Sequence, residues 1–229
     1  MHVRRTLTSI VRDIIISRPS ILTCLVKGLI NYSALARDIV RDVEREAGIR
    51  GVNVNTIKVI LIRLSNKLRN DLRSFEDQIL RILAGSVLRL ETDLVVLTIN
   101  REYIQPRIAK LVQELRNARF LQVTQGISTY TIVLAKEIMN KALSIIGEKT
   151  PYELFDDQSA IVLISPREIL TTPGFVSYVT GLLAWSGINI TQIISCYLDT
   201  ILIVSTSDVM KAYTILQSAI TSARKFSIK

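Results

Sequence analysis

Reactive and structure-breaking residues are scarce in this chain: one histidine, two cysteines, nine glycines and five prolines in 229 residues. A single histidine, His2, leaves no His-based metal cluster and no histidine-activated nucleophile in the body of the chain. Two cysteines far apart exclude a disulfide scaffold. Cys24 and Cys196 sit in apolar runs and read as buried free thiols. So little glycine and proline excludes collagen-like and low-complexity chains. Walker A, Gly-x-Gly-x-x-Gly, Gly-x-Ser-x-Gly and His-Glu-x-x-His motifs are all absent. The adjacent Asp156 and Asp157 read as a solvated turn. The expectation is a protein that is not an enzyme and has no metal and no cofactor.

Branched aliphatic residues, by contrast, are abundant: 33 Ile, 28 Leu and 19 Val. That excludes disorder as the main state and hints at a thermophilic source. The 30 residues between Glu168 and Asp199 carry no charge. Thr171, Pro173, Asn189 and Gln192 interrupt this stretch too often for a membrane span, so it reads as a helix and a strand. With no secretory signal recognisable, a cytoplasmic protein without a membrane partner is expected. The net charge is +9, distributed as +8 over residues 1–75, +2 over 76–150 and −1 over 151–229. A basic end of this kind suits nucleic acid.

Hydrophobic spacing divides the chain. Helices are expected over 3–16, 21–29 and 32–47, the last with Asn31 as N-cap and Gly48 as a left-handed stop. Another begins near Asn55 with Ile57, Ile60, Leu61, Leu64 and Leu68 inward, and a further helix or a continuation covers 75–83. Beyond Gly85 the period changes. Strands are expected at 87–90 and 94–99, separated by a Glu-Thr-Asp turn. A helix over 103–116, a hairpin over 120–134 and a helix over 135–146 follow, then a turn-rich stretch from Gly147 to Asp157 that reads as a boundary or an edge strand. The last third repeats this order: strand 160–165, helix 173–185, strands 188–197 and 200–205, helix 209–223, and a final edge strand at 226–228. That is βαββαβ, the ferredoxin-like order. An α+β protein is expected, with a helical domain at 1–84 and two tandem ferredoxin-like βαββαβ modules at 85–150 and 151–229.

The strongest local signal is Thr171-Thr172-Pro173-Gly174. Thr172 suits a helix cap and Pro173 the first helical position. Gly174 leaves its own N–H and that of Phe175 open, with the helix dipole behind them, as a receptor for a carboxylate. Gly174→Val is therefore expected to block the donors and leave the fold intact. Asn189, entering the next strand, offers an amide donor and acceptor. Together they suit a free amino acid. A small or apolar side chain is expected, since residues 169–198 hold no charge to pair with one. The helix 173–185 turns Phe175, Val176, Val179, Leu182 and Leu183 inward. Its other face, Ser177, Thr180, Gly181 and Ala184, is small and uncharged, which suggests a homodimer.

Leu163–Gly174 and Leu183–Ile190, continued by Ser195–Ile201, resemble an ACT domain. These ferredoxin-like modules bind amino acids at dimer interfaces and regulate metabolism. Gly28–Arg37 resembles the N-terminal part of archaeal predicted regulators of amino-acid metabolism, which join a helix-turn-helix-like region to ACT domains. The resemblance implies a ligand site at Thr171, Thr172, Pro173, Gly174, Phe175, Ile188, Asn189 and Ile190. Ser195, Asp199 and Thr200 form a further group that reads first as hairpin chemistry and only second as part of the site. The middle copy has Asn100-Arg-Glu-Tyr at its helix start and reads as structural. The helix from Asn55 would be the recognition helix, with Asn55, Thr56, Lys58, Arg63, Asn66 and Lys67 toward double-stranded DNA. Its connection to the helix before, Gly48–Val54, is longer than is usual for that motif. The expected function is an amino-acid-responsive transcription regulator. The alternative is a regulatory subunit that docks on a biosynthetic enzyme and does not bind DNA.

Overall fold

A computed structural model describes residues 5–147 and 150–227, and of residues 70–75 and 227 the backbone alone. Four helices come first: α1 (Leu7–Ile16), α2 (Pro19–Val26), α3 (Tyr32–Ala47) and α4 (Val54–Gly85). The chain divides into two compact units, Met1–Asp77 and Gln78–Lys229.

In the first unit, local chemistry sets the helix ends. Asn31 Oδ1 accepts from the Ser33 and Ala34 N–H groups at 3.0 Å, which caps α3. Gly48, at φ 66, ends it. Glu44 then accepts from the N–H groups of Gly51 at 2.7 Å and Val52 at 2.9 Å, which orders the link to α4. Ile10, Ile15, Leu25, Ile39, Val43, Ile57 and Leu61 form the core. Each such side chain contributes about 1.5–3 kcal/mol on burial. Ser65, fully buried, donates to the Leu25 carbonyl at 2.8 Å and accepts from the Tyr32 hydroxyl at 3.1 Å. Residues 75–83 continue α4 rather than forming a helix of their own.

The second unit holds six strands among the described residues: β1 (Val87–Asn100), β2 (Leu121–Gln125), β3 (Thr129–Ala135), β4 (Tyr152–Ile164), β5 (Gln192–Cys196) and β6 (Asp199–Ser205). They form one antiparallel sheet in the order β2-β3-β1-β4-β6-β5. Helices α5 (Arg101–Ile104), α6 (Ile108–Glu114), α7 (Met139–Ile146), α8 (Phe175–Trp185) and α9 (Thr206–Ser227) complete the unit.

The long central strands β1 and β4 each carry an aspartate in the left-handed region, Asp93 at φ 55 and Asp157 at φ 49. Their pairing slips register between Glu91 and Val96. One extra residue moves every later side chain to the other face. Before the bulge, Leu88 and Leu90 pack on the core of Ile161, Leu163, Phe175 and Leu202. After it, Val95, Leu97 and Ile99 join Leu111, Ile132 and Ile146. The opposite faces, Leu94, Val96 and Val133 against Ala160, Ile201 and Ile203, bury one another. The sheet is therefore curled, with helices outside both halves.

Arg119 ties the bulge from outside, donating to Glu91 at 2.8 Å, to the Thr92 carbonyl at 3.0 Å and to Glu137 at 3.3 Å. Lys136 pairs with Asp156 at 2.9 Å. The hydrogen bonds from Arg119 and Lys136 hold the Glu137 and Asp156 carboxyls below the usual range. These ties are complete above the ordinary carboxylate range and are lost as pH falls through the lowered values.

Several expectations are corrected. The Glu91-Thr-Asp93 turn is a bulge inside a single strand, because aspartate tolerates the left-handed conformation without ending the pairing. Of the two readings of the stretch to Asp157, a boundary or an edge strand, residues 152–157 take the second as the first part of β4, where Tyr152, Glu153 and Leu154 pair with Ile99, Thr98 and Leu97. The helix 103–116 is split into α5 and α6 around Pro106, whose missing N–H interrupts the ladder. Ala135 ends β3, and a 3-10 turn at Lys136–Ile138 leads into α7. Phe226 and Ser227 extend α9, and Ile228 lies outside the described residues, as do His2 and Val3. Both cysteines are exposed, Cys24 on the outward side of α2 and Cys196 at the end of edge strand β5.

Asp93 provides a test. A β-branched residue there meets a left-handed cost of about 1–2 kcal/mol, whereas glycine meets none. Asp93→Val should lower the urea midpoint accordingly, while Asp93→Gly stays within a few tenths of a kcal/mol of the parent. Equal loss in both variants would mean that the aspartate side chain, not the bulge backbone, carries the effect.

Candidate functional site

The loop between β4 and α8 is built from a 3-10 turn, Arg167–Leu170, and the segment Thr171–Gly174. Thr172 Oγ1 donates to the Glu168 carbonyl at 2.9 Å, and Thr171 Oγ1 approaches the same oxygen at 3.4 Å. Thr172 thus closes the 3-10 turn instead of capping α8. The helix begins at Phe175, and its N-cap is Gly174, at φ 89 and ψ −9, with no side-chain cap. Pro173 accordingly lies before the helix, not at its first position. A left-handed glycine turns the chain into the helix directly. A Cβ added at Gly174 would be strained there and would meet Ile79 Cδ1 at 3.4 Å. Gly174→Val is therefore expected to disturb the helix start itself as well as the approach to its donors.

The eight residues expected at the ligand site separate into three groups. Phe175 and Ile188 are buried at 2% and 4% exposure, and with Ile190 they pack in the core of the second unit. Pro173, Gly174 and Asn189 are exposed. Asn189 lies in the irregular segment before β5, which starts at Gln192, so it does not enter the strand. Among the described residues it has no hydrogen-bond partner. Thr171 and Thr172 come together on an open cleft of about 490 Å³. Of the α8 residues expected inward, Phe175, Val179 and Leu183 are buried, while Val176 is exposed. At the β5–β6 hairpin, Ser195 pairs across to Thr200 and Cys196 to Asp199, with Tyr197 left-handed at the tip.

Pro166 and Glu168 line the same cleft, as do Arg81 and Ile82 from the last turns of α4. Its two walls are held together closely. A Cβ at Gly85 would fall 2.6 Å from Pro166 Cγ, so only glycine permits the approach. Ser86 Oγ bonds the Ile82 carbonyl at 2.7 Å and Ser165 Oγ at 3.0 Å. Arg224 of α9 donates to the Ala84 and Ser86 carbonyls, both at 2.9 Å, and so satisfies the exposed end of α4. Arg81 and Glu168 were missed from sequence. The one available signal was that Glu168 is the last charge before the uncharged stretch. In the first half of the sheet the matching helix start is already bonded, the Arg101 N–H to the Ser128 carbonyl at 2.8 Å.

On α4, Asn55, Thr56, Arg63, Asn66 and Lys67 are exposed and Lys58 is half-buried. At about 100° per residue the five exposed residues fall on one arc of about 120°, and Lys58 lies off it. No Asp or Glu occurs from Val54 to Asn70. Lys58, Arg63 and Lys67 have no ion-pair partner among the described residues. Among the described residues no cluster of His, Cys, Asp or Glu could hold a metal ion, and no helix is long and apolar enough to cross a membrane.

Residues 153–218 match the family model for the ACT domain. The match runs from β4 through the cleft loop, α8 and the β5–β6 hairpin into α9. No curated protein matches the sequence. Solved structures do. The aspartate kinase of Clostridium acetobutylicum is 16% identical over 58% of this chain and 34% of its own, with a TM-score of 0.49. The aspartate kinase of Synechocystis is 17% identical over 62% of this chain and 27% of its own, with a TM-score of 0.51. A structure of aspartokinase alpha and beta subunits is 14% identical over 58% of this chain and 97% of the matched chain, at a TM-score of 0.50. The chain thus spans about a third of the Clostridium enzyme's length. At these identities the likeness is one of fold.

Proposed function

We propose that the protein is an amino-acid-responsive regulator that docks on an amino-acid biosynthetic enzyme. The observation that carries this is the ACT-domain match over residues 153–218, which include the cleft residues Glu168, Thr171 and Thr172. The curled sheet is read as two interlocked ferredoxin-like modules, 85–150 and 151–229. Residues 152–155 close the first as its fourth strand and 87–91 close the second. The fold likeness to aspartokinase alpha and beta subunits, covering 97% of the matched chain, supports a regulatory chain that works on an enzyme. The helical part, residues 1–84, is then the docking module.

A second reading, binding of double-stranded DNA through a helix-turn-helix-like pair α3–α4, is favoured by one observation. The arc of Asn55, Thr56, Arg63, Asn66 and Lys67 is exposed and free of acidic residues. Self-association is proposed through α8, whose outward residues Ser177 and Ala184 are exposed, with Thr180 and Gly181 half-buried between them and no charge on the helix.

Three measurements test these readings. In a thermal-shift screen of the twenty amino acids at millimolar concentration, at least one should raise the melting temperature by linkage. Asn189→Ala should weaken that hit by about 1–3 kcal/mol if Asn189 holds the ligand's polar end. No shift from any amino acid would defeat the regulator reading. For the choice of partner, docking predicts that adding the protein changes the amino-acid concentration inhibiting the matching biosynthetic enzyme. DNA binding predicts instead affinity that falls with salt at a log–log slope of about −0.9 per phosphate contact. Lys67→Ala would then lower that slope by about one. For assembly, the parent should sediment as a dimer and Thr180→Glu with Ala184→Glu as a monomer; a monomeric parent sinks the α8 interface.

A further inference from the structure

We infer that the cleft between α4 and the β4–α8 loop binds a zwitterionic α-amino acid by its two charges, the carboxylate on Arg81 and the ammonium on Glu168. The inference deepens the amino-acid-responsive reading and rests on it. Arg81 and Glu168 line one cavity, yet they form no ion pair with each other or with any other described residue. Where opposite charges come within reach they pair, as when Arg119 bridges two glutamates and Arg18 two aspartates, whereas Arg81 and Glu168 line one cleft without meeting. Two opposite charges that share a cleft and stay apart leave room between them for a molecule carrying both.

The rest of the cleft fits the same occupant. The hydroxyls of Thr171 and Thr172 turn their hydrogens toward the Glu168 carbonyl, and their oxygens keep lone pairs that accept from an ammonium. Ile82 and Pro166 give an apolar wall. The cleft, about 490 Å³ and open to solvent, leaves room for a side chain of any size. The geometry is fixed before binding, because Gly85, Ser86 and Arg224 pin the α4 end against the loop. Polyphosphates do not fit, since Glu168 would repel them beside a single guanidinium. The charges also come from outside residues 169–198, and for that reason the uncharged stretch does not restrict the ligand as its sequence suggested.

Calorimetry on the full chain tests this. The probes are the amino acid that gives the largest thermal shift, its amine lacking the carboxylate and its acid lacking the amino group. Arg81→Gln and Glu168→Gln change exposed side chains, and circular dichroism should leave both variants folded. Each should weaken the amino acid about tenfold or more, as expected for loss of a charged hydrogen bond. The amine should bind the parent and Arg81→Gln equally, and the acid should bind the parent and Glu168→Gln equally. Full affinity in both variants would overturn the cleft site while leaving amino-acid sensing in place, and a loss confined to Asn189→Ala would locate the ligand at the α8 start instead. If no amino acid binds the parent, both the cleft site and the sensing reading fall.

Discussion

Everything in the second unit depends on the pairing of β1 with β4. A strand of uniform phase can serve only one buried face on each side of a sheet. β1 is fourteen residues long and serves three cores. It does so because one surplus residue, near Asp93, moves its apolar side chains from even to odd positions along the helix-covered side. β4 bends in the same place at Asp157, so the two strands turn together and remain hydrogen-bonded through the corner. Without that corner the faces of Leu94, Val96 and Val133 would lie open, a patch too apolar for solvent. The ion pairs of Arg119 and Lys136 close around the corner where backbone groups leave the ladder.

The bend also explains why the cleft sits where it does. The first half of β1 lies beside the second half of β4, and the chain enters β1 from α4 and leaves β4 into the cleft loop. Antiparallel pairing of Val87 with Ile164 therefore brings the end of α4 and the start of that loop to the same edge. Gly85 and Pro166, 81 residues apart in the sequence, meet there because neither strand can slide once its apolar register is buried. Arg81 and Glu168 are carried to one cavity by this register alone.

Much of this was legible in residues that act locally. Asn31 and Gly48 mark the ends of α3 because a cap needs only its own helix. The alternation after Gly85 gave the strands, and the order of elements gave an α+β sheet with helices. What could not be read were features decided across the sheet. Glu91-Thr-Asp93 has turn chemistry, and only the partner strand β4 makes it a bulge. Residues 152–157 left a boundary and an edge strand both open, because their side chains are exposed and only their backbones pair. Thr172 and Pro173 have helix-start chemistry, yet a left-handed Gly174 competes for the N-cap and wins. Of the expected site, Thr171 and Thr172 were legible through their loop. Arg81 was not, because its neighbour in space is distant in sequence.

The same helix that provides Arg81 also carries apolar residues into both cores: Ile57, Ile60, Leu61 and Leu64 into one, Ile79, Ile82 and Leu83 into the other. A ligand bridging Arg81 and Glu168 would add to what already holds the last turns of α4, the burial of Ile79, Ile82 and Leu83 and the contacts of Gly85, Ser86 and Arg224. Binding can shift an equilibrium only by its differential affinity for the two states. A ligand held between Arg81 and Glu168 would supply such a difference, since any separation of the two charges would release it. Regulation at this site, as proposed, would require no movement within the sheet, whose buried register resists it. It would act through the last turns of α4, whose Arg81 and Ile82 stand in the wall of the cleft.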